Sequence, residues 1–88
     1  MKKIAIIENE EFARQNLLQQ IKALRPDWEV VFTAESVEES VEFFTGAPQV
    51  DLVFMDIELV DGDCFSIFEQ TEVDAPVIFT TAYDDYAV

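Results

Sequence analysis

Short apolar runs alternating with amphipathic segments predict an α/β fold built on a parallel sheet. The run Val50-Asp51-Leu52-Val53-Phe54-Met55-Asp56 is rich in β-branched and aromatic residues and reads as a strand buried on both faces. The run Lys3-Ile4-Ala5-Ile6-Ile7 is of the same kind, and both runs stop at acidic residues. Between the strands lie segments with apolar residues three to four apart, the helical crossovers that right-handed parallel pairing requires.

After the first strand, residues 10–24 show apolar residues at Phe12, Ala13, Leu17, Ile21 and Leu24, the spacing of an amphipathic helix, ended by Arg25-Pro26-Asp27. Residues 29–34 follow as a second strand, preceded by Trp28. Ser36, with Glu39 three positions on, has the pattern of a capping box. The helix it opens has Val37, Val41 and Phe44 as its inward stripe, and Gly46-Ala47-Pro48 stops it. The third strand ends at Asp56. Asp61-Gly62-Asp63 signals a turn, and a short helix follows around Phe65, Ile67 and Phe68. Residues 76–81 read as a fourth strand, and residues 82–88 as an unfinished loop or helix start. All eight phenylalanines are expected in the core, and Cys64 as a small buried hydrophobe. The pattern stops on a strand without a returning helix, so the chain reads as cut short. Its last strand would be an edge, and exposed apolar surface beside it should favour association.

Eighty-eight residues allow one domain and one core. No stretch approaches the ~20 apolar residues that span a bilayer, and the N-terminus is too soon acidic for a signal peptide, so a cytoplasmic protein without membrane contact is expected. The single cysteine excludes an internal disulfide. The net charge is −14, and no Lys or Arg follows Arg25. Such a chain should repel phosphate backbones, which excludes direct nucleic-acid binding and suits a divalent cation or a basic partner.

In a parallel sheet the C-terminal strand ends share one edge, where ligands bind. Glu8, Asn9 and Asp56 would meet there and offer oxygens to a hard cation, Mg²⁺ being the natural candidate. Thr80 or Thr81 would add a hydroxyl. The set supplies a carboxylate nucleophile, a metal to neutralise phosphoryl charge, and a hydrogen-bond donor. Each residue also has a plain reading: Asp56 as the start of a loop, Asn9, Glu10 and Glu11 as helix cap and first-turn charges, the threonines as strand formers. The coincidence of three strand ends favours the functional one.

The chain resembles the receiver domain of two-component response regulators. The matching pieces are Ile6-Ile7-Glu8-Asn9-Glu10, Leu52-Val53-Phe54-Met55-Asp56, Asp61-Gly62, and Val77-Ile78-Phe79-Thr80-Thr81-Ala82. The ending Thr81-Ala82-Tyr83-Asp84-Asp85-Tyr86-Ala87 is most similar to receivers joined to a LytTR-type DNA-binding domain. The resemblance implies a flavodoxin-like three-layer sandwich with strand order 2-1-3-4, residues 1–88 being the N-terminal part of a receiver. The fifth strand, the last two helices and the LytTR-type domain are expected downstream.

It further implies that Asp56 accepts a phosphoryl group from the phosphohistidine of a sensor histidine kinase and controls an attached transcriptional output domain. Asn9, Asp56 and the Glu58 backbone carbonyl would contact Mg²⁺, with Glu8 acting through water. Thr81 and the Ala82 backbone would bind the phosphoryl group and switch. A receiver–receiver dimer is a further expectation. Such a module is not an enzyme, since it assists only its own phosphotransfer and dephosphorylation. Two departures stand out. Glu8-Asn9 replaces the family's pair of acids, which should weaken Mg²⁺ binding. The lysine that receivers carry after a fifth strand is missing from these residues, so on their own they should accept phosphoryl groups poorly. Two alternatives remain: a phosphorylation-independent interaction module, favoured by Asn9, and a Mg²⁺-dependent hydrolase using Glu8, Asp56 and Glu58. The absence of a basic residue near the site and of a glycine-rich phosphate loop weighs against the hydrolase.

Overall fold

The apolar runs pair as anticipated. The computed structural model describes residues 1–80, in which β1 (Lys3–Ile7), β2 (Glu29–Ala34), β3 (Leu52–Asp56) and β6 (Val77–Thr80) form one parallel sheet in the order β2-β1-β3-β6. Thr81 and Ala82, expected at the switch, lie outside the described residues. The predicted third and fourth strands begin later than their apolar runs, at Leu52 and Val77. Asp51 is drawn instead into a clasp at the opposite edge, its carboxylate accepting the Lys3 N–H at 2.7 Å while its own N–H donates to the Lys3 carbonyl at 2.8 Å.

Strand alternation sends Ile4 and Ile6 to one face and Ala5 and Ile7 to the other. The first face is covered by α1 (Glu11–Leu24) through Leu17, Leu18 and Ile21, with Trp28, Val30, Leu52 and Phe54 around them. The second is covered by α2 (Val37–Thr45) and α3 (Phe65–Gln70), which bury Val37, Phe44, Cys64 and Ile67 against Ala5, Ile7, Val53 and Met55. Three layers result. Ile4, Ile6, Ile7, Val53, Met55 and Ile67 are fully buried, and each contributes about 1.5–3 kcal/mol of hydrophobic stabilisation.

The stripe expected on α1 is only partly inward. Phe12 is 85% exposed and Leu24 69%. Phe12 lies nine positions before Ile21, about two and a half turns at 3.6 residues per turn, and so stands on the opposite side of the helix from that buried residue, while Leu24 is the last residue of the helix. Nor are all the phenylalanines core. Phe65, Phe68 and Phe79 are partly exposed and meet at centroid distances of 6.0–6.5 Å beside β6, the border strand among the described residues. Phe32 and Phe43 do join the interior, stacked at 3.8 Å.

Helix α2 begins as the capping pattern implies: the Glu39 N–H donates to Ser36 Oγ at 3.1 Å, and the Ser36 hydroxyl donates to the Glu39 carboxylate at 2.9 Å. Its reversal falls on Ala47, at φ 52°, and not on Gly46, whose φ is −74°. The turn signal at Asp61-Gly62-Asp63 proves to be part of a hairpin that the sequence pattern did not show, β4 (Glu58–Leu59) antiparallel to β5 (Gly62–Asp63). Gly62 sits there at φ 148°, which side chains with a Cβ rarely adopt.

Candidate functional site

Register decides what meets at the C-terminal edge. Ile7 lies opposite Met55, and Asp56 opposite Thr80, so β1, β3 and β6 finish at one level. Glu8, the residue after β1, and Asp56, the last of β3, are only 7% and 4% exposed. Asn9 and Glu58 sit half-buried on the loops leaving the two strands.

Glu8 is held from several sides. Its N–H donates to the Ala34 carbonyl at 2.9 Å, and its own carbonyl accepts from the Arg14 guanidinium at 2.8 Å. Of its carboxyl oxygens, Oε1 accepts the Glu10 N–H at 3.2 Å and Oε2 the Thr80 hydroxyl at 3.3 Å. Burial, and then the Asp56 carboxyl beside it, push the Glu8 pKa up to about 7, against the opposing pull of the Glu10 N–H and the Thr80 hydroxyl. Asp56 Oδ1 is buried without a hydrogen-bond partner among the described residues. Leaving such an acceptor unsatisfied costs about 1–3 kcal/mol, and more when it is charged. Two adjoining buried carboxyl groups, one with an orphaned oxygen, form a site in which, among the described residues, no cationic side chain bonds either carboxyl.

The structure therefore brings Glu8, Asp56 and Thr80 together. It does not gather three carboxylates: among the described residues no group of three or more His, Cys, Asp or Glu side chains is placed to hold a metal ion. Asn9 is not the helix cap of the plain reading, since Glu10 occupies the cap position of α1 without a side-chain bond and Glu11 supplies the first-turn charge.

Two neighbours were not anticipated. Arg14 lies at this edge, bonded to the Glu8 backbone, where no basic residue was expected. Its i, i+6 separation from Glu8 across a strand-to-helix loop has no simple sequence signature. Asp61 caps α2 from the β4–β5 hairpin, its carboxylate oxygens accepting the Val37 N–H at 2.6 Å and the Glu38 N–H at 3.0 Å. These bonds, that from Val37 first, hold its carboxyl below the ordinary value. Cys64 is fully buried, its thiol pushed up to about 11 by burial and then by Asp63, so it is packing and not a nucleophile.

No family model matches the chain. Among curated proteins it is 41% identical to the sensory transduction protein LytR of Streptococcus mutans, the match covering 97% of this chain and 36% of that protein. The chain thus spans about a third of that relative's length. Among solved structures it superimposes on the CheX-CheY-BeF3-Mg²⁺ complex from Borrelia burgdorferi with a TM-score of 0.79 at 23% identity, covering 98% of this chain and 66% of that one. The non-phosphorylated HemR receiver domain from Leptospira biflexa gives a TM-score of 0.73 at 27% identity, covering 93% and 65%. No helix among the described residues is long and apolar enough to cross a membrane. With β2-β1-β3-β6 strand order, an acid at the end of the third sheet strand and this sequence kinship, the chain is similar to the receiver domains of response regulators.

Proposed function

We propose that Asp56 is the phosphoacceptor of a two-component switch, charged by a sensor histidine kinase and read by a LytTR-type output domain. The observation that carries this reading is the buried, unpartnered Oδ1 of Asp56 beside the carboxyl of Glu8. An unsatisfied acceptor next to a second acid fits a bound hard cation, and the CheY of the solved complex is accompanied by Mg²⁺ and BeF3. The Asp56 carboxylate, the Asn9 amide oxygen and the Glu58 backbone carbonyl would hold Mg²⁺ directly, with Glu8 acting through water. The cation would supply charge neutralisation for the incoming phosphoryl oxygens.

In the transfer, an Asp56 oxygen attacks the phosphorus of the kinase's phosphohistidine. The new O–P bond makes an acyl phosphate, the P–N bond breaks, and its electron pair returns to the imidazole, which leaves neutral because its other ring nitrogen carries a proton. Thr80 holds Glu8 Oε2 and so keeps that carboxyl turned toward the shared edge. Thr81 and the Ala82 backbone N–H are assigned to the phosphoryl oxygens on the family resemblance. Incubating the intact protein with Mg²⁺ and acetyl phosphate should add one phosphoryl mass, lost in Asp56→Ala; unchanged mass in the wild type would overturn the assignment.

A second reading has its own support. Glu8 has both oxygens engaged within the fold and a pKa near neutrality, and Asn9 is uncharged, so the site is less anionic than a pair of acids would make it. A phosphorylation-independent interaction module would be established if Asp56→Ala regulated its target normally.

A further inference from the structure

The N-terminus of α2 has two caps of different origin. Ser36 is local, and accepts the Glu39 N–H at 3.1 Å. Asp61 is remote: separated by 24 and 23 residues, it takes the Val37 and Glu38 N–H groups. Asp61 belongs to the β4–β5 hairpin, which leaves β3 directly after Asp56 and contains Glu58. Two-residue strands have little stability of their own. What fixes this hairpin is its attachment, through Asp61, through the Val60 N–H donating to the Glu35 carbonyl at 3.1 Å, and through buried Leu59. Its exit is fixed too, with the Cys64 N–H on the Ile57 carbonyl at 2.8 Å and the Phe65 N–H on the Asp63 carboxylate at 3.0 Å.

We propose that Asp61 is a positioning residue for the Asp56 site: its carboxylate clamps the β4–β5 hairpin to the N-terminus of α2 and thereby sets the Glu58 backbone that the site presents to a cation. The proposal rests on the reading of Asp56 as a Mg²⁺-dependent acceptor. An anionic clamp is suited to the task, because a helix N-terminus attracts negative charge and its free N–H groups donate to a carboxylate at two points. The two caps provide the control. Removing Ser36 weakens α2 alone, whereas removing Asp61 weakens α2 and releases the hairpin.

The test compares Ser36→Ala, Asp61→Ala and Asp61→Asn in the intact protein, with Mg²⁺ alone as the probe, titrated by amide NMR. Ser36→Ala and Asp61→Ala should both lower Tm. Mg²⁺ affinity should fall about 10-fold in Asp61→Ala, the scale of losing a group that orients a metal ligand, and stay within about twofold of wild type in Ser36→Ala. Asp61→Asn keeps one accepting oxygen and should fall between them; it also serves if the alanine variant does not fold. Equal Mg²⁺ affinity in wild type and both Asp61 variants, or equal losses for Ser36 and Asp61, would overturn the proposal. If the wild type binds no Mg²⁺, the cation-site reading fails separately. The clamp itself is then judged by amide exchange at Cys64: faster exchange in Asp61→Ala than in Ser36→Ala supports it, and equal exchange refutes it.

Discussion

Replacing Glu8 by glutamine should change how stability depends on pH. The Glu8 carboxyl is 7% exposed and its pKa is pushed from 4.5 to about 7. Between those values the folded protein holds a proton that the unfolded chain has lost, so stability falls as pH rises through the window. Below pH 4.5 both states are protonated and the full contribution is present; above about 7 both are ionised and it is gone. At about 1.36 kcal/mol per pKa unit, the difference amounts to at most about 3 kcal/mol. Glutamine stays neutral, keeps an oxygen for the Glu10 N–H and offers Thr80 a donor in place of an acceptor. Denaturant unfolding followed by circular dichroism, in buffers without divalent cations, should show Glu8→Gln gaining on wild type by up to that amount from pH 5 to 8. Subtracting the two profiles cancels the repulsion among the remaining acids. A difference constant to within about 0.5 kcal/mol across the range would refute the assignment of a buried, protonated Glu8. Asp56→Asn should leave part of the slope, because burial is the larger cause; a flat profile would instead make Asp56 the main one.

The fold makes further claims. Ile67→Ala removes a fully buried side chain between α3 and the sheet and should cost about 2–5 kcal/mol, measured by chemical unfolding. Phe12→Ser should change stability by no more than about 0.5 kcal/mol, since its ring is exposed on the side of α1 opposite Ile21. Cys64 should resist iodoacetamide in the native protein and react once the chain is unfolded in denaturant; rapid native labelling would contradict its burial.

What sequence reveals depends on whether the physics is periodic. The four sheet strands were legible because apolar runs of four to six residues between helical segments admit one arrangement, and Glu8 and Asp56 followed from where those runs stop. The capping of α2 by Ser36 is a local, three-residue relation and was equally visible. The bond between Thr80 and Glu8 spans 72 positions, and that between Asp61 and Val37 spans 24; nothing in the intervening sequence encodes either. The β4–β5 hairpin escaped notice because two-residue strands have no period to detect. Phe12 misled because apolar character alone does not fix a helix face: nine residues before Ile21, it stands half a turn away from it. Leu24 does continue the stripe, but helical periodicity carries no information about where the covering layer ends. The aromatic group of Phe65, Phe68 and Phe79 shows that hydrophobic character does not by itself locate a residue in the interior.

The place of Trp28 has a practical bearing. It is the sole tryptophan, packed on the α1 face just before β2 and with the Arg25 guanidinium 5.8 Å from its ring. Six residues of β2, ~20 Å of strand, separate it from the edge where the carboxyl groups meet. Its fluorescence therefore reports whether the α1 layer is folded or newly covered, and has no direct contact with an ion or phosphoryl group at Asp56. An emission change on modification of this protein would be a signal that had travelled the length of the sheet.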